Sequence, residues 1–162
     1  MTGPIHSGTG VRTDLDTLPV EGSESGVDHS RLEWVPDRGG RLFLVAALGA
    51  APQAFAELAL PLTRGAVQLA DARGFAGIAF EARGSGRYSL LVDSYGVRSR
   101  SRFRAAFDAN AARREIRIPF SALRSPDPDA ALDLAALRAL AIRLQGEPGG
   151  NAWLELGRVR FY

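Results

Sequence analysis

Residues 77–95 read Gly-Ile-Ala-Phe-Glu-Ala-Arg-Gly-Ser-Gly-Arg-Tyr-Ser-Leu-Leu-Val-Asp-Ser-Tyr, and this stretch decides the fold class. Apolar and polar residues alternate with a period of two, the mark of a half-buried strand. Ile78, Phe80 and Ala82 share one face of a first strand, with Ala79, Glu81 and Arg83 on the other. Gly84-Ser85-Gly86 reads as a turn, because glycine reaches positive φ without a Cβ clash. Tyr88, Leu90 and Val92 then alternate with Arg87, Ser89, Leu91 and Asp93. The spacing predicts a hairpin with one apolar face and one face bearing Glu81, Arg83, Arg87 and Asp93.

The same period recurs on both sides. Upstream, residues 31–35 and 41–48 are strand-length and apolar, and a turn at 37–40 separates them. Alanine and leucine favour helix over residues 42–60, but Pro52 forbids an unbroken one. Phe55, Glu57, Ala59 and Pro61 alternate with Ala56, Leu58, Leu60 and Leu62, so pattern outweighs propensity and strands are expected. Downstream, Arg98, Arg100, Arg102 and Arg104 share one parity, and a strand would place all four on one face. Such a row is either a solvated face paired with Glu81, Asp93 and Glu115, or a face that binds an anion, a sugar or a partner. Strands follow at 113–118, 139–145 and 152–161, with one helical turn at 132–137. Trp34 and Trp153 lie in apolar segments and are assigned to the core. The sum is roughly eight to ten short strands with turns about every 8 to 14 residues, which predicts an all-β antiparallel β-sandwich of the jelly-roll type.

Composition sets the outer limits. A chain of 162 residues is one domain in the simplest reading, with an irregular segment over residues 1–25 partly packed on a single jelly roll over 26–162. No cysteine is present, which excludes disulfides and thiolate metal sites. All 20 basic residues are arginine, against 18 acidic ones, so the net charge of +2 is no nucleic-acid signature. No run approaches the roughly 18 apolar residues of a membrane-spanning helix. The N-terminus lacks a basic and an apolar region, so no signal peptide is expected in the chain as given. A complete chain would then be cytoplasmic, and a piece of a longer one could be exported.

Catalytic motifs are missing. No Gly-x-Ser-x-Gly elbow, phosphate loop or dinucleotide fingerprint occurs, and His6 and His29 sit in a polar region. Glu81 and Asp93 form the one carboxylate pair that the spacing puts on adjacent strands, and Arg83 and Arg87 are their expected charge partners. No enzymatic activity is expected. The candidate binding surface comprises Arg83, Arg87, Asp93, Tyr95, Arg98, Arg100 and Arg102, with Tyr95 as a stacking aromatic. No cofactor is expected, although Asp14, Asp16 and Asp28 are hypothetical ligands for a structural calcium ion.

Several motifs together resemble the complex I intermediate-associated protein 30 family. They are the strand–turn–strand at 77–88, Asp71-Ala-Arg-Gly-Phe-Ala-Gly77 before it, Arg117-Ile-Pro-Phe-Ser121, and the closing Trp153-Leu-Glu-Leu-Gly-Arg-Val-Arg-Phe-Tyr162. The likeness covers residues 26–162. It departs at 25–30, where the family's Asp-x-x-Met-Gly-Gly-x-Ser is reduced to Ser-Gly-Val-Asp-His-Ser. The resemblance implies a galactose-binding-like jelly roll similar to certain carbohydrate-binding modules. Mitochondrial members of that family are assembly chaperones of respiratory complex I, and bacterial members occur alone or appended to enzymes such as amidohydrolases. It carries no established catalytic residues. The expectation is therefore a non-catalytic binding or assembly module with a protein partner. The alternatives are a carbohydrate-binding module with a glycan ligand, and an accessory domain of a longer hydrolase.

Overall fold

The computed structural model describes residues 5–6, 10–11, 20–24, 29–36, 40–62 and 69–162. Among them are thirteen strands: β1 (Ile5–His6), β2 (Gly10–Val11), β3 (Val20–Ser23), β4 (Arg31–Pro36), β5 (Leu42–Ala47), β6 (Phe55–Pro61), β7 (Gly77–Gly84), β8 (Gly86–Ser94), β9 (Phe103–Ala109), β10 (Arg114–Pro119), β11 (Leu137–Gln145), β12 (Asn151–Leu156) and β13 (Arg160–Phe161). A first sheet runs β10-β7-β12-β5-β4, with β13 also on β7, and a second runs β3-β6-β11-β8-β9. Every pairing in both sheets is antiparallel. The β-sandwich expectation is met.

Alternation explains the core. Ile78, Phe80, Ala82, Leu42, Leu44 and Leu154 face inward from the first sheet. Leu58, Leu60, Tyr88, Leu90, Val92, Ile142 and Leu144 face them from the second. Burying one leucine or isoleucine side chain contributes about 1.5–3 kcal/mol, so this cluster is the main stabilising term. Residues 55–61 form a strand despite their helical propensity, because Leu58 and Leu60 reach the core only at strand spacing.

The stretch at 77–95 departs from expectation in one respect. Its two strands do not pair with each other. β7 lies in the first sheet between β10 and β12, and β8 lies in the second between β11 and β9. Gly84-Ser85-Gly86 is thus a crossing between sheets rather than a hairpin turn. Nor is positive φ its reason, since that conformation occurs at Gly40, Gly96 and Gly149. Gly84 is needed for space, because a Cβ there would overlap the Tyr88 hydroxyl. That hydroxyl accepts from the Ser85 N–H at 3.0 Å and donates to the Trp153 carbonyl at 2.5 Å. Tyr88 therefore ties β8 to β12 of the opposite sheet, and its ring stacks on Phe107 with centroids 5.6 Å apart.

Four further expectations are corrected. Residues 97–104 are not one strand, since a 3-10 turn occupies Ser99–Ser101 and β9 begins at Phe103. The Ser-Arg alternation supplies no apolar face to hold a strand there. Residues 132–137 form no helix, because the Asp133 carboxylate accepts from the Ala135 N–H at 2.9 Å and closes a turn. The closing strand is split into β12 and β13. Within the segment expected to be irregular, β3 pairs with β6 as an edge strand.

Candidate functional site

The outer face of the first sheet carries more ion pairs, and that of the second carries the more enclosed ion cluster. In an antiparallel pair, partner side chains share a face. Register therefore aligns Glu57, Arg143 and Ser89 in one outward row, and Ala59, Ala141, Leu91 and Arg104 in the next. Outward residues on a flat face would meet water. Here Glu57 is only 6% exposed, Leu91 2% and Ala141 3%. Three strand spacings separate β6 from β9, about 14 Å across a flat sheet. Arg102, which flanks β9, nevertheless reaches Glu57 on β6. The face is hollow.

An ion cluster lies across its middle. Arg102 Nη2 donates to both Glu57 oxygens at 3.0 and 3.1 Å, and Arg143 Nε donates to Oε2 at 2.6 Å. The Arg143 guanidinium also lies 3.8 Å over the Phe55 ring. Burial pushes its pKa down, Glu57 opposes that, and the neighbouring charges of Arg102 and Arg104 add to it. Burial likewise pushes the Asp93 carboxyl up, while Arg138 and Arg102 draw it back. At the end of β8, Arg138 covers one face of Tyr95 at 5.2 Å, and Tyr95 remains 62% exposed. Beside it a cavity of about 310 Å³ opens between Tyr95, Arg98, Ser101, Asp127 and Asp129.

The structure brings Asp93, Tyr95, Arg98 and Arg102 to this end of the second sheet. Arg87 lies on the same face but at the far end of β8, about 20 Å from Asp93 at strand rise. Arg100 is exposed in the 3-10 turn. Arg83 is on the outer face of the first sheet, where Nη2 binds Glu155 at 2.7 Å and the guanidinium lies 5.3 Å over Trp153. The continuous surface expected from all seven residues is thus split between two faces. Glu81 and Asp93 lie on opposite sheets and are no carboxylate pair. Glu81 meets Arg41 at 3.5 Å, and Glu115 meets Arg117 and Arg160, so neither serves the arginine row.

Sequence reasoning missed Glu57, Arg143, Arg138 and Ser89. The one available signal was Glu57 at a polar position of an otherwise apolar strand. Trp153 is outward and stacked on Phe43 with centroids 5.8 Å apart, not in the core. Among the described residues no cluster of three His, Asp or Glu could hold a metal ion. Asp14, Asp16 and Asp28 lie outside them.

Comparison with solved structures places the architecture. The chain superimposes on the family 11 carbohydrate-binding module from Clostridium thermocellum, in complex with a β-1,3-1,4-mixed-linked tetrasaccharide, with TM-score 0.65. Identity is 14%, over 88% of this chain and 87% of that one. The fold is that of a carbohydrate-binding-module jelly roll. A family 30 carbohydrate-binding module matches with TM-score 0.60 at 12% identity, covering 93% of this chain and 95% of the other. The agarase AgWH50C matches with TM-score 0.58 at 12% identity, over 86% of this chain and 22% of the enzyme. No protein-family model matches the sequence, and no curated protein does either. The jelly roll accounts for the layering seen here, and the identities of its outward side chains are this chain's own. No described helix is long and apolar enough to cross a membrane.

Proposed function

We propose that the chain is a non-catalytic glycan-binding module that holds a sugar chain along the outer face of the second sheet. The observation that carries this reading is the polar strip of Arg143, Arg102 and Asp93 that ends at the exposed Tyr95 and the cavity of about 310 Å³ beside it. Fixed donors and acceptors along this strip match hydroxyl groups, and the exposed Tyr95 ring offers a stacking surface at one end. Glu57 is held by two arginines and serves as a strut rather than as an acid or base. The structural likeness to carbohydrate-binding modules supports the same reading.

Affinity electrophoresis against mixed-linked β-glucan, agarose and acidic polysaccharides tests it. Retention by at least one polymer, lost in the double variant Asp93→Ala, Tyr95→Ala with its melting curve unchanged, is the expected result. Retention of the double variant at the wild-type level would remove this face as the site.

A protein partner, as the resemblance to the complex I intermediate-associated protein 30 family implies, is the second reading. It is favoured by the other sheet. Val35 and Val45 are 56% and 39% exposed there, beside the stacked Phe43 and Trp153. If a partner docks on this strip, Trp153→Ala abolishes its recovery and leaves glycan retention intact.

A further inference from the structure

We infer that the glycan taken by the second sheet is acidic, bearing carboxylate or sulfate groups that bind at Arg104 beside the Arg102–Glu57–Arg143 cluster. This rests on the glycan reading above. Arg102 and Arg143 share the Glu57 carboxylate, Arg104 lies close enough to act on Arg143, and Asp93 is near Arg102, so three guanidiniums face two carboxylates and positive charge is in excess. Arg102 and Arg143 are each only 16% exposed along the side chain, and Glu57 8%, so water screens this excess weakly. Arg104 is exposed, points outward in register with Leu91, and has no ion-pair partner among the described residues. Elsewhere on the face two arginines have acidic neighbours. Arg87 stands opposite Asp108 across β8 and β9, and Arg138 lies near Asp93.

The chemistry of the donors points the same way. Neutral sugar hydroxyls both donate and accept, and a site for them needs acceptors as well as donors. At the centre of this face the groups are overwhelmingly donors, because the Glu57 oxygens are already occupied. A guanidinium presents a planar fork of N–H groups that matches a carboxylate or sulfate in bidentate fashion. A ligand bringing such a group would supply the missing counter-charge. One bringing hydroxyls alone would leave it unmet.

The test measures retention by polygalacturonate, a carboxylate polymer, by a sulfated galactan, and by neutral mixed-linked β-glucan. Wild-type protein is compared with Arg104→Gln and with Arg31→Gln, which removes the same charge from the outer face of the opposite sheet. The expected result is preferential, salt-sensitive retention by one of the acidic polymers. Arg104→Gln should weaken it about tenfold, the contribution of one charge-assisted hydrogen bond. Arg31→Gln should leave it unchanged. Equal weakening by both variants would reduce the effect to overall charge and overturn the inference. Retention by the neutral glucan alone would overturn it too while leaving the glycan reading standing. Retention by none of the three polymers, nor by agarose, would bring down both.

Discussion

Glu57 occupies a position where strand residues usually meet water, yet it is nearly enclosed and bound by two arginines from distant parts of the chain. Breaking such a buried pair is expensive, because the partners are left charged and unpaired. Here the remaining partners would be two guanidiniums that repel one another. Glu57→Ala is therefore expected to lower stability by about 3 kcal/mol, and Glu57→Gln, which keeps hydrogen-bond acceptance, by less. Urea denaturation reads both, and an unchanged midpoint for Glu57→Ala would show that the cluster carries no structural load. Glu24 plays a similar part at the sheet edge. Its carboxylate accepts from Ser30 N–H at 2.8 Å, Ser30 Oγ at 2.7 Å and Phe55 N–H at 3.0 Å, and so ties the start of β6 to the approach to β4.

At the scale of elements, β7 and β8 are consecutive in sequence and separate in space. A peptide of residues 77–95 should accordingly form no hairpin. Nuclear Overhauser contacts between its two halves would be absent, whereas the intact protein should show Ala82 against Arg114 and Leu90 against Ala105. Cross-strand contacts in the peptide would contradict the sheet assignment. This is also where legibility in the sequence ends. Alternation tells which residues of a strand face inward, and it did so correctly for Ile78 through Ala82 and for Tyr88 through Val92. It does not tell which strand lies alongside, since an inward face is satisfied equally by a neighbour or by the opposite sheet. The seven expected site residues scattered for the same reason. Arg83 and Arg87 have the right parity, but their outward faces point away from each other. Glu57, Arg102 and Arg143 come together from segments 45 and 86 residues apart, which no local pattern encodes. Trp153 shows a different limit. Its parity marked it as opposite to Leu154 and Leu156, but its size suggested burial, and stacking on Phe43 meets that demand on the outside.

The molecule as a whole should be sensitive to acid. Burial raises the pKa of Glu155, but hydrogen bonds from Arg83 and Arg113 outweigh it and hold the group below its ordinary value. Glu24 is likewise held below by backbone and hydroxyl donors that outweigh its burial. A carboxylate depressed in the folded state contributes stability that is present above its unfolded pKa, near 4.5, and lost as pH falls through the folded value. Asp93 works in the opposite sense, since its raised pKa means that its charged form costs stability above that range. Asp71, held down to about 2 by Arg73, and Glu115, held down by Arg117, act in the same direction as Glu24 and Glu155, so four groups against one give a melting temperature that falls as pH drops below about 4.5. Calorimetry of Glu24→Gln should show a lower melting temperature at pH 7 and convergence with wild type at strongly acid pH. A constant gap at all pH values would sink this account.

The order of strands also bears on how the protein is made. β11 sits at the middle of one sheet and β12 at the middle of the other, and both belong to the last quarter of the chain. A ribosome delivers β4 to β9 first, and until residues 137–156 have left the exit tunnel those strands lack their central partners. Growing chains would meanwhile present apolar faces and unpaired edges to one another. The sandwich closes only once residues 137–156 have emerged, and any nascent chain halted before β12 is a substrate for chaperones and proteases.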